Sequence, residues 1–381
     1  MVSLLPRRAA GLVVFISCLA ACPETAMHGS SSGGSGAGAT GGDTSTSSAD
    51  ASTTEDGSPA DPCADACVEI DADAGAATCH ACRCKVAFDG WLPASDELQC
   101  ADATPIVTYH ADLSSGSTVL EPAPINASSC ANPSLLTGSC RPGSRLGRLE
   151  HDDVVVQWIC RDIALDVDGS ALFHDVAVIG HNVRTGATCF WDDVDDVTHE
   201  DDLPPLDLAE ATPAELERHL AVFDLVDPGV CTKCHDHDPF VYTPYLASTG
   251  WVSVAQDKGP YSTVSLDVLP AAVDASHLVS DAAAPCLACH RLGSNNTCGR
   301  FAGDAMGLNK EGYYEAEVRE AAEPGSPHWT LAHWMPTESL PIADYDAWLA
   351  TFGAAREHIL GCCASPGIDS DECRWAPVPA E

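Results

Sequence analysis

Basic residues are scarce in this chain of 381 residues. It carries 18 Lys and Arg against 56 Asp and Glu, which gives a formal net charge of -38 at pH 7. Such an excess of negative charge disfavours binding to nucleic acid and to anionic membrane surfaces. It favours a basic protein partner or a salty habitat, and the composition does not separate these two explanations.

Long apolar runs are also lacking. The run over residues 9–19 is too short to span a membrane as a helix, but it suits a signal peptide. It ends in Leu19-Ala20-Ala21-Cys22, which resembles a bacterial lipobox. We expect residues 1–21 to be a lipoprotein signal peptide and Cys22 to become the lipid-modified first residue, the alternative being an ordinary signal peptide. The protein is then a cell-envelope lipoprotein, anchored to the outer membrane and facing the periplasm or the cell surface.

Large apolar side chains are almost absent from residues 22–62, which consist mainly of Ser, Gly, Thr, Ala and Asp. A segment of this composition buries too little apolar surface to offset the entropy lost on ordering. The sequence therefore predicts a flexible linker between the anchor and the folded part.

Cysteine, by contrast, is abundant, and the 20 Cys include two Cys-x-x-Cys-His sequences. They are Cys231-Thr-Lys-Cys234-His235 and Cys286-Leu-Ala-Cys289-His290. This is the attachment sequence of c-type haem. Two thiols on one turn of helix meet the two vinyl groups of the porphyrin, and the adjacent imidazole reaches the iron. We expect two covalently bound haem c groups, the alternatives being a four-ligand zinc site or plain disulfides.

A third close pair of cysteines serves as an internal control. Cys79-His-Ala-Cys82 has the spacing of the two thiols, but Arg83 stands where the iron ligand belongs. We expect this pair to carry no haem.

Fourteen cysteines remain after Cys18, Cys22 and the four haem cysteines are set aside. An even number in an oxidising compartment predicts up to seven disulfides, whose connectivity the sequence does not give. Their spacing suggests three separately bonded groups: six within residues 63–100, four within residues 130–189, and four within residues 298–373. Residues 63–100 are expected to form a small disulfide-rich segment.

Residues 101–210 show neither a nucleophile triad nor a phosphate-binding loop. Short β-type runs at 154–159, 176–179 and 187–191 are separated by turn sequences, and a hairpin at 182–186 is predicted between the last two. We expect a β-rich domain that binds a partner or covers a haem.

A helix signal opens the C-terminal part of the chain. Thr212-Pro213-Ala214-Glu215 combines an N-cap, a first-turn proline and a capping box, so a helix through Phe223 is predicted to lead to the first haem motif. A single apolar face over residues 342–352 predicts a further helix. Residues 211–381 are thus expected to form a mainly α dihaem domain, which makes the fold class multidomain.

The second motif resembles that of bacterial cytochromes c. Beyond Cys286, Cys289 and His290, the run Trp334-Met335-Pro336 is similar to the distal-methionine loop of that family, and the helix after it to the family's C-terminal helix. The resemblance covers residues 231–352. It implies that His290 is the proximal and Met335 the distal ligand of the second haem. Met335 as core filler is the alternative, and Met306 is a rival ligand.

The first haem departs from this pattern because no methionine lies between His235 and Cys286. With His235 as proximal ligand, the best local sixth ligand is His277, which is far enough along the chain to return to the other haem face. His199, His328 and His333 remain alternatives, as does an iron with no sixth ligand.

These features predict an electron carrier: a lipid-anchored dihaem cytochrome c that exchanges electrons with an exported redox partner, a basic one being favoured by the charge. Whether it is also an enzyme is left open. The alternatives are a dihaem oxidoreductase resembling bacterial dihaem peroxidases, with one open haem, and a haem-bearing surface lipoprotein that binds a partner or senses redox state.

Overall fold

The computed structural model describes most of the chain between residues 61 and 379. The described residues are 61–68, 70, 73–112, 119–127, 130, 140–165, 169–193, 198–199, 203–224, 228–241, 245–246, 249, 259–266, 271–287, 291–302 and 349–379. Residues 1–21, the lipidation residue Cys22 and the linker expected before residue 61 lie outside them.

The strands of the described residues are short except in the centre of the molecule. They are β1 Thr104–Pro105, β2 Tyr109–Asp112, β3 Val119–Pro122, β4 Arg145–His151, β5 Val154–Leu165, β6 Ala171–Asn182, β7 Ala187–Asp193, β8 Thr198–His199, β9 Phe223–Asp224, β10 Ser262–Thr263, β11 Ala271–Ala272, β12 Ser276–Leu278 and β13 Trp375–Pro377.

The main sheet has the order β1-β4-β5-β6-β7-β10-β11, with β8 added to β6 and β9 added to β7. All its pairs are antiparallel except β7 with β10, which run parallel. Two small antiparallel pairs, β2 with β3 and β12 with β13, stand outside it. The runs at 154–159, 176–179 and 187–191 all lie in strands of this sheet, as the sequence pattern predicts.

Both faces of the main sheet are covered, which explains why the run over residues 154–160 in β5 is apolar except for Gln157. On one face Val156 and Trp158 pack in a core with Cys84 and Phe88 of the Cys-rich segment. On the other face Ile159 packs with the cluster of Ile106, Leu146, Tyr245 and Leu246. The sheet therefore separates the Cys-rich segment from the part of the chain that carries the first haem motif.

The hairpin between β6 and β7 determines how the C-terminal part joins the sheet. Gly186 in its turn has a positive φ of 81°, and a Cβ there would collide with the backbone of Pro260. The amide of Ser262 donates to the Gly186 carbonyl at 2.9 Å and the amide of Val264 to the Thr188 carbonyl at 2.9 Å. The sheet thus continues across the boundary expected at residues 210 and 211.

The helices of the described residues pack in two places, some on the main sheet and some in a separate apolar cluster that contains Leu278 and Ile359. They are α1 Asp73–Ala87, α2 Pro213–Val222, α3 Pro228–Cys231, α4 Ala284–Leu287 and α5 Ala354–Cys363, with π-helical turns at Thr297–Phe301 and Leu349–Gly353.

The capping box predicted for α2 is present. The side chain of Thr212 accepts a hydrogen bond from the Glu215 amide, and the Glu215 carboxylate accepts one from the Thr212 amide. Leu349–Gly353 is the described part of the helix expected over residues 342–352. Among the described residues after 211, however, strands β9 to β13 accompany these short helices.

Seven disulfides join the fourteen cysteines that the sequence set aside for pairing. They are Cys63–Cys82, Cys67–Cys79, Cys84–Cys189, Cys100–Cys160, Cys130–Cys140, Cys298–Cys363 and Cys362–Cys373.

The expected separation into three groups is wrong for the first two. Cys84–Cys189 and Cys100–Cys160 connect the Cys-rich segment to β7 and β5, because α1 and the loop after it pack on the sheet. The third group closes on itself through Cys298–Cys363 and Cys362–Cys373. The segment 63–100 therefore shares the core of the sheet.

None of the helices in the described residues has the length and apolar character needed to cross a membrane.

Candidate functional site

The first Cys-x-x-Cys-His sequence forms one turn that continues helix α3. The amide of Cys234 donates to the Cys231 carbonyl at 3.1 Å, and the amide of His235 donates to the same carbonyl at 2.9 Å. Residues three and four apart on such a turn lie on one face. Cys231, Cys234 and His235 therefore lie together on one turn.

Described cysteines inside and outside the two Cys-x-x-Cys-His sequences differ in whether they form disulfides. The described cysteines outside disulfides are Cys231, Cys234 and Cys286, all from the two Cys-x-x-Cys-His sequences. The control pair behaves differently, because Cys79 is bonded to Cys67 and Cys82 to Cys63.

His235 is the most unusual side chain of the site. It is 2% exposed, and neither ring nitrogen has a hydrogen-bond partner among the described residues. Burial, and then the neighbouring His237, lower the pKa of His235 to about 4. The backbone of Pro239 and Asp238 lies nearby and opposes this shift, but it is not placed to form a hydrogen bond with the ring. Its imidazole is neutral at pH 7. A buried imidazole without partners is costly unless something satisfies it, and a metal ion does so.

An apolar cluster surrounds the first motif. The His235 ring lies 5.6 Å from that of Phe190, centroid to centroid. Phe190 belongs to a cluster that also contains Tyr261, Val273 and Val378, against which the half-buried Cys231 packs. The Tyr261 hydroxyl donates to the His235 carbonyl at 2.8 Å. The imidazole is thus held in a dry setting at the sheet.

The second motif begins on helix α4, which contains Cys286 and Leu287. Cys286 is half-buried against the cluster of Leu278, Ala283 and Leu292, and burial raises the pKa of its thiol to about 11. Cys289 and His290 lie outside the described residues, as does Met335 together with the rivals Met306, His328 and His333.

The chain that follows the second motif packs on the chain that follows the first. The Asp236 carboxylate, fully buried, accepts hydrogen bonds from the amide of Asn295 at 2.7 Å and from the hydroxyl of Thr297 at 2.6 Å. The Asn296 amide donates to the Lys233 carbonyl at 2.9 Å. The Asn296 side chain donates to Cys234 Sγ at 3.2 Å.

Arg291, which follows the second motif, binds residues that follow the first motif. One guanidinium nitrogen donates to the His237 carbonyl at 2.9 Å and lies 3.4 Å from the Asp238 carboxylate, while the other donates to the Gly259 carbonyl at 3.0 Å. Arg291 and Asp238 are both buried.

His277 lies on the same side of the molecule as this packing. It is half-buried in β12, opposite Ala376 of β13, and it forms a β-bridge with Gly293. A Cβ on Gly293 would overlap the Asp236 carboxylate. Strand β12 therefore brings His277 close to the residue that follows His235, while His199 lies in β8, paired with β6.

Two groups of His and Cys atoms in the described residues have the spacing of a metal site. They are His80 with Cys84 and Cys189, and His358 with Cys362 and Cys373. In both groups the two sulfurs form a disulfide, so neither offers thiolate ligands. Neither group contains a cysteine of the two Cys-x-x-Cys-His sequences.

Sequence reasoning missed Asp236, Arg291, Asn296 and Tyr261. The first two stand directly after the histidines of the two motifs and carry opposite charges, a signal that was present in the sequence. The contacts of Asn296 and Tyr261 arise from tertiary packing and leave no local pattern.

No protein family model, no curated protein and no solved structure matches this chain.

Proposed function

We propose that this chain is an exported dihaem c-type cytochrome that carries electrons between redox partners outside the cytoplasm. One observation carries the proposal. Of the described cysteines, those outside disulfides are Cys231, Cys234 and Cys286, all from Cys-x-x-Cys-His sequences, and the described motif histidine is buried with no partner for its ring nitrogens.

The donor set of the first site fits a covalent haem. Cys231 and Cys234 supply two thiols on one turn, and His235 supplies a neutral imidazole. When bound at such a site, haem iron supplies reversible exchange of one electron. Cys286, Cys289 and His290 are the corresponding residues of the second site, with Met335 proposed as its distal ligand and His277 as the sixth ligand of the first.

The described residues prepare the first site in three ways. Burial keeps the imidazole of His235 neutral, so its lone pair is available to a metal. Tyr261 fixes the His235 backbone, and the apolar cluster with Phe190 excludes water. A dry, rigid setting of this kind lowers the reorganisation that accompanies a change of charge.

The charge of the chain supports a protein partner of opposite sign. A net charge of -38 steers a basic redox protein toward the surface and repels nucleic acid. The proposed lipid on Cys22 places this exchange at the outer membrane, on the periplasmic or the exterior side.

A second function, a dihaem oxidoreductase resembling the peroxidases, is favoured by one feature. No methionine lies between His235 and Cys286. A first site without a sixth protein ligand would be open to small ligands.

Electron exchange tests the proposal directly. The mature protein, produced with a c-type cytochrome maturation system, is mixed in its reduced form with an oxidised basic redox protein at increasing salt. We expect rapid exchange that slows as salt screens the charges. Absence of exchange, together with a five-coordinate haem that reacts with peroxide, would overturn the carrier in favour of the oxidoreductase.

A further inference from the structure

We propose that the residues following the two motifs form a reciprocal clasp that holds the two haem-attachment segments in one rigid unit. The clasp consists of Asp236, Asp238, Arg291, Asn295, Asn296 and Thr297. Its role in redox coupling rests on the proposed function, whereas its existence as a structural connection does not.

Asp236 is the acceptor of the clasp. It comes directly after His235 and is fully buried. Its Oδ2 accepts from the amides of Asn295 at 2.7 Å and Thr297 at 3.3 Å, and its Oδ1 accepts from the Thr297 hydroxyl at 2.6 Å. The ring nitrogen Nδ1 of His237 lies 2.8 Å from the same Oδ1. A buried carboxylate with this many hydrogen-bond donors around it is held in one position.

Arg291 is the donor of the clasp, and it connects the chain after the second motif to the chain after the first. It comes directly after His290 in the sequence and reaches the His237 carbonyl and the Asp238 carboxylate. Each motif histidine is therefore followed by a charged residue that binds the chain beyond the other motif. Arg suits this position because its planar fork serves a carbonyl and a carboxylate together.

The clasp also touches the first attachment site. The Asn296 side chain donates to Cys234 Sγ at 3.2 Å, and its amide binds the Lys233 carbonyl. From the Asn295 to Asp236 hydrogen bond, the Cα atoms of Asn295 and His235 lie within about 12 Å of each other. Gly293 permits this approach, since any side chain there would collide with the Asp236 carboxylate.

The consequence is a fixed geometry between the two sites. Groups held in one frame need no diffusional encounter, and a change of charge at one site acts on the other through buried side chains. Asp236 is thus a positioning residue. Its removal should loosen the chain around the second motif, although it belongs to the first.

Asp236→Asn tests the clasp, with Asp274→Asn as the control. The control removes the same charge from an exposed position nearby. Hydrogen exchange followed by mass spectrometry measures amide protection in residues 291–297, and a redox titration measures the midpoint potentials of both haems. We expect Asp236→Asn to lower this protection about tenfold, because it replaces one of the two accepting oxygens with an NH2 group that faces buried donors, and to shift both potentials. The control should change neither.

A milder pair of variants covers the case in which Asp236→Asn does not fold. Thr297→Val removes the hydroxyl that donates to Asp236 but keeps the shape, and Thr297→Ser keeps the hydroxyl. The clasp predicts a change in protection and potentials with Val and recovery with Ser. Unchanged protection and unchanged potentials in Asp236→Asn, or in Thr297→Val, would overturn the clasp. A wild-type protein without haem would contradict the proposed function instead, and hydrogen exchange would still decide the clasp.

Discussion

The hydroxyl of Tyr261 donates a hydrogen bond to the backbone carbonyl of His235 at 2.8 Å, and Tyr261 is completely buried. This bond ties the strand region beside β7 to the histidine of the first motif. The backbone of His235 is thus held by a residue 26 positions farther along the chain.

Tyr261→Phe is expected to lower the free energy of unfolding by about 1 to 3 kcal/mol, because a buried carbonyl loses its donor. It should also alter the absorption spectrum of one haem, since the backbone of its ligand is no longer fixed. Tyr245→Phe is the matched control, because Tyr245 is also buried and donates to the Arg141 carbonyl, away from the motif. Denaturant unfolding and visible spectra distinguish them: both variants lose stability, but only Tyr261→Phe changes the spectrum. Identical spectra in both variants would remove Tyr261 from the site.

Met335→Ala is expected to remove thioether ligation from one haem while both haems remain covalently attached. Spectra in the oxidised and reduced states report the ligand change, and a denaturing haem assay reports attachment. Met306→Ala, the rival position, should leave the ligand spectrum unchanged. The assignment fails if the two variants exchange these outcomes.

Acid should destabilise the protein through its buried histidines. Burial, and then His219, lower the pKa of His80 from 6.5 to about 4. The unfolded chain therefore binds more protons than the folded one below pH 6.5, so the free energy of unfolding falls as the pH drops from 6.5 to 4, by about 3 kcal/mol for this residue. His80→Gln should reduce this dependence, as measured by denaturant unfolding across that range. The exposed His151→Gln is the control, and an equal reduction in both variants would contradict the role of burial.

Removal of the Cys84–Cys189 disulfide should destabilise the fold more than removal of Cys362–Cys373. The two disulfides join residues 105 and 11 positions apart. Loop-closure entropy predicts losses of about 4.7 kcal/mol for the long loop and less than about 3 kcal/mol for the short one. Thermal unfolding of the two double Cys→Ala variants measures the difference. Equal losses would show that loop length does not decide their contribution.

The local features of this molecule could be predicted from the sequence, since each depends on neighbouring residues. Alternation and turn residues predict the strand at 187–191, and the capping box predicts the start of helix α2 at Pro213. The turn formed by Cys231 and Cys234 follows from their spacing. The even number of the fourteen remaining cysteines was enough to predict that they form disulfides, though not which cysteine bonds to which.

The long-range features could not be predicted in the same way. The partner of Cys84 lies 105 residues away and is determined by the packing of helix α1 on the sheet. The parallel addition of β10 to β7 depends on the close approach of Gly186 and Pro260, which no periodicity records. The clasp left a trace, the opposite charges of Asp236 and Arg291 after the two motifs, but only the fold shows what they bind.

The count of covalently bound haem tests the central claim most directly. The mature protein, made with a c-type maturation system, is denatured and its haem measured by intact mass, beside variants with Cys→Ser changes at 231 and 234, at 286 and 289, and at 67 and 79. We predict two haems in the wild type, one in each of the first two variants, and two in the third, whose cysteines form a disulfide. A wild-type protein that retains no haem after denaturation would contradict the account.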